Sequence, residues 1–295
     1  MIRIFSVAGT AALLAGTAAH SGQAAPAPAS VPAPRSGAEA PQQDFHWRGR
    51  LASGEQIQIN NVIGDIRAEP ADGDEVVVTG VRHGRNPERV RIEVVRRREG
   101  TVICAVYPPD GNGRWSRDDN DDDDDRGPRD ACNPRGTNSR DGDASVDFTV
   151  RVPAGVKLAA RTVSGDVQAT RLRGPVDARS VSGNVRVSTA GPVQASSVSG
   201  SVTATLGRMG GQDLTFRSVS GDVTLEVPAG IDAEFQARTL SGSIDSDFPL
   251  RLGGGDERGR YRVRVGQQAH ATLGRGGPAL HVTTVSGDVV LRRSR

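Results

Sequence analysis

The sequence predicts an all-β fold: a single-stranded parallel β-solenoid, β-helix-like, wound from short Val-Ser-Gly-Asp-Val coils. An N-terminal β region and a disulfide-tied loop precede the coils. Three observations predict it. A strand-turn-strand phrase recurs every 17–21 residues through the central copies. Apolar residues keep fixed offsets from the glycine of each phrase. Aromatic residues make up only 3% of the 295 residues, against 37 glycines, so the core must be built from Val, Ile, Leu and Ala. That composition suits stacked thin layers better than a deep globular core with aromatic anchors.

The elements follow in chain order. Residues 1–24 read as a secretory signal: Arg3 gives a positive start, and Ile4 to Ala19 is an apolar run without charge, followed by small residues. The run is short for a membrane span, and no later stretch of 18 apolar residues occurs, so the mature chain is expected to have no transmembrane segment. Residues 25–43 are rich in Pro and Ala and form a semi-extended linker. The domain proper is 44–295. From Asp44 to Tyr107 short β runs alternate, Gln56-Ile57-Gln58-Ile59-Asn60 most cleanly. Residues 108–144 break down into Gly, Pro, Asp, Asn and Arg, and strands resume at Ser145-Val146-Asp147-Phe148-Thr149-Val150.

The repeat then sets in. Thr162-Val163-Ser164-Gly165-Asp166-Val167 is echoed around Gly183, Gly200, Gly221, Gly242 and Gly287, with a diverged copy around Gly64. Such internal periodicity signals a repeat architecture. Seven and five residues before each glycine stand apolar residues, as in Val176 and Ala178. Two residues after stands Val or Ile. Offsets of two select one strand face, so each unit reads as strand, tight turn, strand. A second turn, such as Gly174-Pro175 or Gly191-Pro192, closes each coil. Each added coil buries a layer worth about 1.5–3 kcal/mol per fully buried Val or Leu. The 45-residue gap between Gly242 and Gly287 holds a hairpin-like insert around Tyr261–Val265.

The repeat glycine is expected at positive φ, where a β-branched residue would be strained by about 1–3 kcal/mol. The residue after it (Asp65, Asp166, Asn184, Ser201, Asp222, Ser243 or Asp288) is a turn former bonding the local backbone. Among the five consecutive central copies no two neighbours both carry Asp, an alternation that avoids stacking carboxylates at about 4.8 Å. It speaks against a calcium ladder. Arg161, Arg179, Arg217 and Arg238 stand four residues before their glycines, on the opposite face from the apolar positions. Stacked coils would align them as an outward row, interrupted by Ser196, able to grip an anionic glycan.

The secretory address makes Cys104 and Cys132, the only two cysteines, a disulfide pair, stabilising by roughly 3–4 kcal/mol in the chain-entropy model. The run Asp118 to Asp125 lacks the spacing of an EF-hand and reads as a solvated loop. No catalytic residues, no metal and no cofactor are expected: the histidines sit in no nucleophile or metal motif, and the repeated Ser is a turn residue, outside any G-x-S-x-G context. A net charge of +2 gives no whole-chain bias towards nucleic acid.

The phrases Asn61-Val62-Ile63-Gly64-Asp65-Ile66, Thr162-Val163-Ser164-Gly165-Asp166-Val167 and Thr284-Val285-Ser286-Gly287-Asp288-Val289 resemble the bacterial putative-adhesin family, an adhesin-like β-strand-repeat domain of unknown function. The segment Val150–Val156 looks like its pre-repeat hairpin. The resemblance covers roughly residues 50–295. It implies a β-solenoid in the periplasm or on the cell surface, without established catalysis. The expected role is therefore binding of an envelope or surface component, with an anionic glycan or an envelope protein as partner. The alternatives are a structural or sensory component docking a protein, and a polysaccharide-active enzyme.

Overall fold

The computed structural model describes residues 45–107, 144–207, 211–252, 261–264 and 268–294. The expected signal, the linker, Cys132 and the acidic loop expected at 108–144 lie outside the described residues, save Ala144, which begins a strand. The strands belong to one compact unit, Pro41–Arg295.

Strands β1 (Phe45–Arg50), β2 (Gln56–Asn60), β3 (Ile66–Pro70), β4 (Glu75–Gly84), β5 (Arg91–Arg97) and β6 (Gly100–Val106) come first. The central run is β7 (Ala144–Val152), β8 (Lys157–Ser164), β9 (Val167–Leu172), β10 (Val176–Ser182), β11 (Val185–Thr189), β12 (Val193–Ser199), β13 (Val202–Leu206), β14 (Leu214–Ser220) and β15 (Val223–Val227). The chain ends with β16 (Ala233–Ser241), β17 (Ser243–Ser246), β18 (Arg251–Leu252), β19 (Tyr261–Arg264), β20 (Gln268–Leu273), β21 (Ala279–Ser286) and β22 (Val289–Arg293). Among the described residues the one helical element is a 3-10 turn at Pro87–Arg89.

The strands form two 11-stranded sheets. The first runs β1-β4-β7-β3-β9-β11-β13-β15-β22-β17-β19. The second runs β18-β20-β16-β21-β14-β12-β10-β8-β2-β6-β5. Each phrase sends one strand to each sheet, β10 to the second and β11 to the first, so consecutive strands make one coil. Coil packs on coil in parallel and in register: Val176, Ala178 and Ser180 of β10 oppose Val193, Ala195 and Ser197 of β12, and Leu158, Ala160 and Thr162 of β8. Inward residues of the two sheets fill the space between. The residues seven and five before each repeat glycine are buried, and so are those two after, Ile57, Ile59 and Ile66 in one coil and Leu214, Phe216 and Val223 in another.

Two corrections to the expected solenoid follow. First, the sheets are mixed. At one end β4 pairs antiparallel with β7 and β1, and β5 with β6. At the other, β19 pairs antiparallel with β17, and β20 with β16 and β18. Terminal units of a stack must differ from inner ones, because their outer faces lack a neighbouring coil. Second, the coils are not stacked in chain order. The last coil, β21 and β22, lies between β14–β15 and β16–β17. At the opposite end β7 separates β3 from β4. The described part of the insert, Tyr261–Arg264, is therefore no excursion from the stack. It supplies β19, which covers the outer edge of β17.

The phrase turn shows why the repeat is so uniform. Gly200 has φ +155°, and a Cβ placed there would sit 2.2 Å from the Gly183 carbonyl oxygen. The same conflict arises at each glycine of the column, in the order Gly64, Gly165, Gly183, Gly200, Gly221, Gly287, Gly242. Backbone bonds tie the column together, Gly183 N–H donating to Ser199 O and Gly200 N–H to Ser220 O. Only glycine fits so close an approach. Beside it a buried hydroxyl serves the next carbonyl: Ser180 Oγ donates to Gly165 O at 2.9 Å, Ser197 Oγ to Gly183 O at 2.8 Å and Thr284 Oγ1 to Gly221 O at 3.0 Å. These hydroxyls are buried at a cost that the hydrogen bond removes.

Candidate functional site on the outer face of the second sheet

Outward positions of the second sheet lie six, four and two residues before each repeat glycine, by the same alternation that buries the odd offsets. The row at minus four holds the four predicted arginines, all exposed. In stack order it reads Asn60, Arg161, Arg179, Ser196, Arg217, Thr283, Arg238. The row is therefore broken twice, by Ser196 as expected and by Thr283, because the last coil is intercalated. Arg161 and Arg179 sit on adjacent strands and share one carboxylate. Arg179 Nε donates to Asp177 at 2.8 Å, and the Arg161 guanidinium lies 3.7 Å from the same side chain. Arg217 and Arg238 stand two strands apart, about 10 Å.

The row at minus two was missed by sequence reasoning, which looked outward only at minus four, for charge. It consists of Val163, Val181, Val198, Val219 and Val285, each 41–46% exposed, then Leu240 at 64%, with the half-buried Val62 at the other end. The residue after each is in parallel register with its counterpart, Ser182 with Ser164 and Ser199, and Ser220 with Ser286. The apolar side chains thus form one ladder over seven coils, about 29 Å long. Its signal was in the sequence: an apolar residue recurs in every phrase on the parity that points away from the core. A solvated face would carry Gln or Thr there, as Gln194 and Thr215 do at minus six.

Beyond the glycines runs a third ladder, and here the alternation of Asp expected among the five central copies does not extend to the whole stack. In space Asp147, Asp65 and Asp166 are neighbours, and so are Asp222 and Asp288. Each carboxylate accepts a backbone N–H from the next coil: Asp65 Oδ1 from Asp166 N at 2.9 Å, Asp166 Oδ1 from Asn184 N at 2.7 Å, Asp222 Oδ1 from Asp288 N at 2.8 Å. The turn residues therefore bond between coils, not within their own turn. The gained charge-assisted bond offsets the repulsion between stacked carboxylates.

Other groups lie away from this face. Cys104 is buried on β6. The Tyr107 hydroxyl donates to Ile63 O at 3.0 Å, and burial, helped by the charge of Asp147, pushes its pKa from 10.0 up to about 12. Asp232 is held below the ordinary carboxylate range by the backbone N–H and guanidinium of Arg275, a contact that fastens the turn between β20 and β21. Among the described residues no three His, Cys, Asp or Glu side chains come together as metal ligands, and no helix is long and apolar enough to cross a membrane.

No protein-family model matches the chain, and no curated protein matches it either. Among solved structures, a putative cell adhesion protein from Clostridium sporogenes is similar at 8% identity and a TM-score of 0.42, over 85% of this chain and 100% of that one. A putative adhesin from Bacteroides fragilis is similar at 12% identity and a TM-score of 0.25, over 86% of this chain and 98% of that one. Likenesses so distant leave the function to be read from the surface itself.

Proposed function

We propose that the chain is an exported, non-catalytic β-solenoid that binds a component of the bacterial envelope or cell surface through the outer face of its second sheet. Export rests on Arg3 and the apolar run Ile4 to Ala19, and a Cys104–Cys132 bridge would suit that address. The observation that carries the binding reading is the exposed Val and Leu ladder with arginines alongside. Contiguous exposed apolar surface with a polar rim marks contact sites, and Arg is enriched there. Between the two expected partners, a protein surface fits better than an anionic glycan. Asp177 already occupies two of the four guanidiniums, and a ladder of carboxylates flanks the apolar row.

The test is binding of the purified mature chain to isolated envelopes at low and high salt. A Val198→Asp/Val219→Asp variant should lose binding at both. An Arg217→Ala/Arg238→Ala variant should lose it mainly at low salt, where surface charge counts most. Equal binding by wild type and the Asp variant would exclude the face.

A further inference from the structure

Resting on the reading of this face as a contact surface, we infer that its partner is a second copy of the same chain, docked ladder against ladder about a two-fold axis. The arrangement of charge singles out that occupant. The apolar ladder has four arginines on one side, in the row four residues before the glycines, and Asp, Asn or Ser on the other, one residue after each glycine. A uniformly charged polymer or surface meets one favourable row and one unfavourable row. A copy related by a two-fold axis lying in the interface, parallel to the stack, meets two favourable ones, because each side then faces its opposite.

Of the seven coils, two pair opposite charges across this axis, four set a charge against a neutral side chain, and one is neutral on both sides. Such an axis sets every coil against its own counterpart, so the residue at minus four faces the partner copy's residue at plus one. The coil with Arg217 carries Asp222, and the coil with Arg161 carries Asp166. The coil that breaks the arginine row with Ser196 is neutral on the other side too, with Ser201. No coil of the column sets like charge against like. An axis across the stack would instead oppose arginine with arginine. The face measures about 29 Å along the stack and about 20 Å across. With side-chain relief that approaches the roughly 800 Å² per partner of a standard interface. The two stacks then run side by side in the same direction.

The test is sedimentation equilibrium of the mature chain, with circular dichroism confirming the fold of each variant. Wild type should dimerise, and Val198→Asp/Val219→Asp should weaken dimerisation by at least about tenfold. Arg217→Asp and Asp222→Arg should each weaken it alone, and an equimolar mixture of the two should form the mixed dimer, since residue 217 of one copy faces 222 of the other. A monomeric wild type, an undiminished Asp variant, or a mixture no tighter than its parts would overturn the inference. Envelopes from cells lacking the chain separate this from the broader reading. Binding to them that depends on the ladder, with a monomeric wild type, would keep the contact face and reject self-docking.

Discussion

The two turn columns of the stack obey different rules. On the phrase side two residues separate the strands in the coils of Gly165, Gly183, Gly200, Gly221 and Gly287, and each glycine abuts the one before it. On the other side the connections run to three residues between β9 and β10 and between β11 and β12. They run to seven between β13 and β14 and five between β15 and β16. There the glycines loosen along the stack. A Cβ on Gly174 would strike Val156 O at 2.2 Å and one on Gly191 would lie 2.7 Å from Gly174, whereas nothing stands within 4 Å of Gly211 or Gly230. Sequence repetition therefore tracks backbone proximity. Where coils touch at the main chain, identity is dictated. Where they splay, length drifts, and the variation of the period from 17 to 21 residues is absorbed.

The most direct way to break this comparison is one substitution in each column. Gly200→Ala places a methyl against the Gly183 carbonyl at positive φ and should cost about 3–5 kcal/mol in urea denaturation. Gly230→Ala meets open space and should stay within about 0.5 kcal/mol of wild type. Equal costs would mean that the glycine column is not what holds the coils in register.

Tyr107 closes the phrase side at the level of Ile63, and pH sharpens its part. Its hydroxyl is protonated up to about pH 12 when folded and to about 10 when unfolded. The stability this confers is complete below pH 10 and drains away as pH rises from 10 to 12, by about 3 kcal/mol. Tyr107→Phe should be about 1 kcal/mol less stable at neutral pH, for the lost bond to Ile63 O, yet show no such alkaline slope. The two stability curves should cross between pH 10 and 12.

Within the phrase column the hydroxyl ladder is the next test. Ser197→Ala leaves the Gly183 carbonyl without its side-chain donor and should cost about 1–2 kcal/mol by the same denaturation assay. Ser199, two residues on, is exposed, and its change to Ala should shift stability by less than about 0.5 kcal/mol.

Much of this fold is visible in the amino-acid string because the fold is local. Val176, Ala178 and Val185 declare their burial by offset alone, and Gly183 declares its turn. What the string conceals is order in space. Nothing in Thr284-Val285-Ser286-Gly287 says that this coil lies between β15 and β17, since any coil offers any neighbour the same groups. That interchangeability is what put Thr283 into the arginine row and Asp288 beside Asp222, so neither row runs in space in the order the chain gives it. The apolar ladder was different in kind: it was readable, from the outward parity of Val181 and Val198, and was passed over because Val is ordinarily counted as core.

The smallest effect tests the looser column. Gly165 and Gly183 are 18 residues apart but Gly183 and Gly200 only 17, and the extra residue has a place. Register between β9 and β11 slips between Val187 and Thr189, where Arg171 adopts φ +55°. A bulge with a residue in the left-handed region absorbs one residue without disturbing the phrase side. Arginine carries a Cβ penalty there that glycine does not. Arg171→Gly should therefore gain about 0.5–1 kcal/mol, after the greater freedom of glycine in the unfolded chain is set against the relieved strain. A loss of the same size would show that the Arg171 side chain, and not its backbone, settles the bulge.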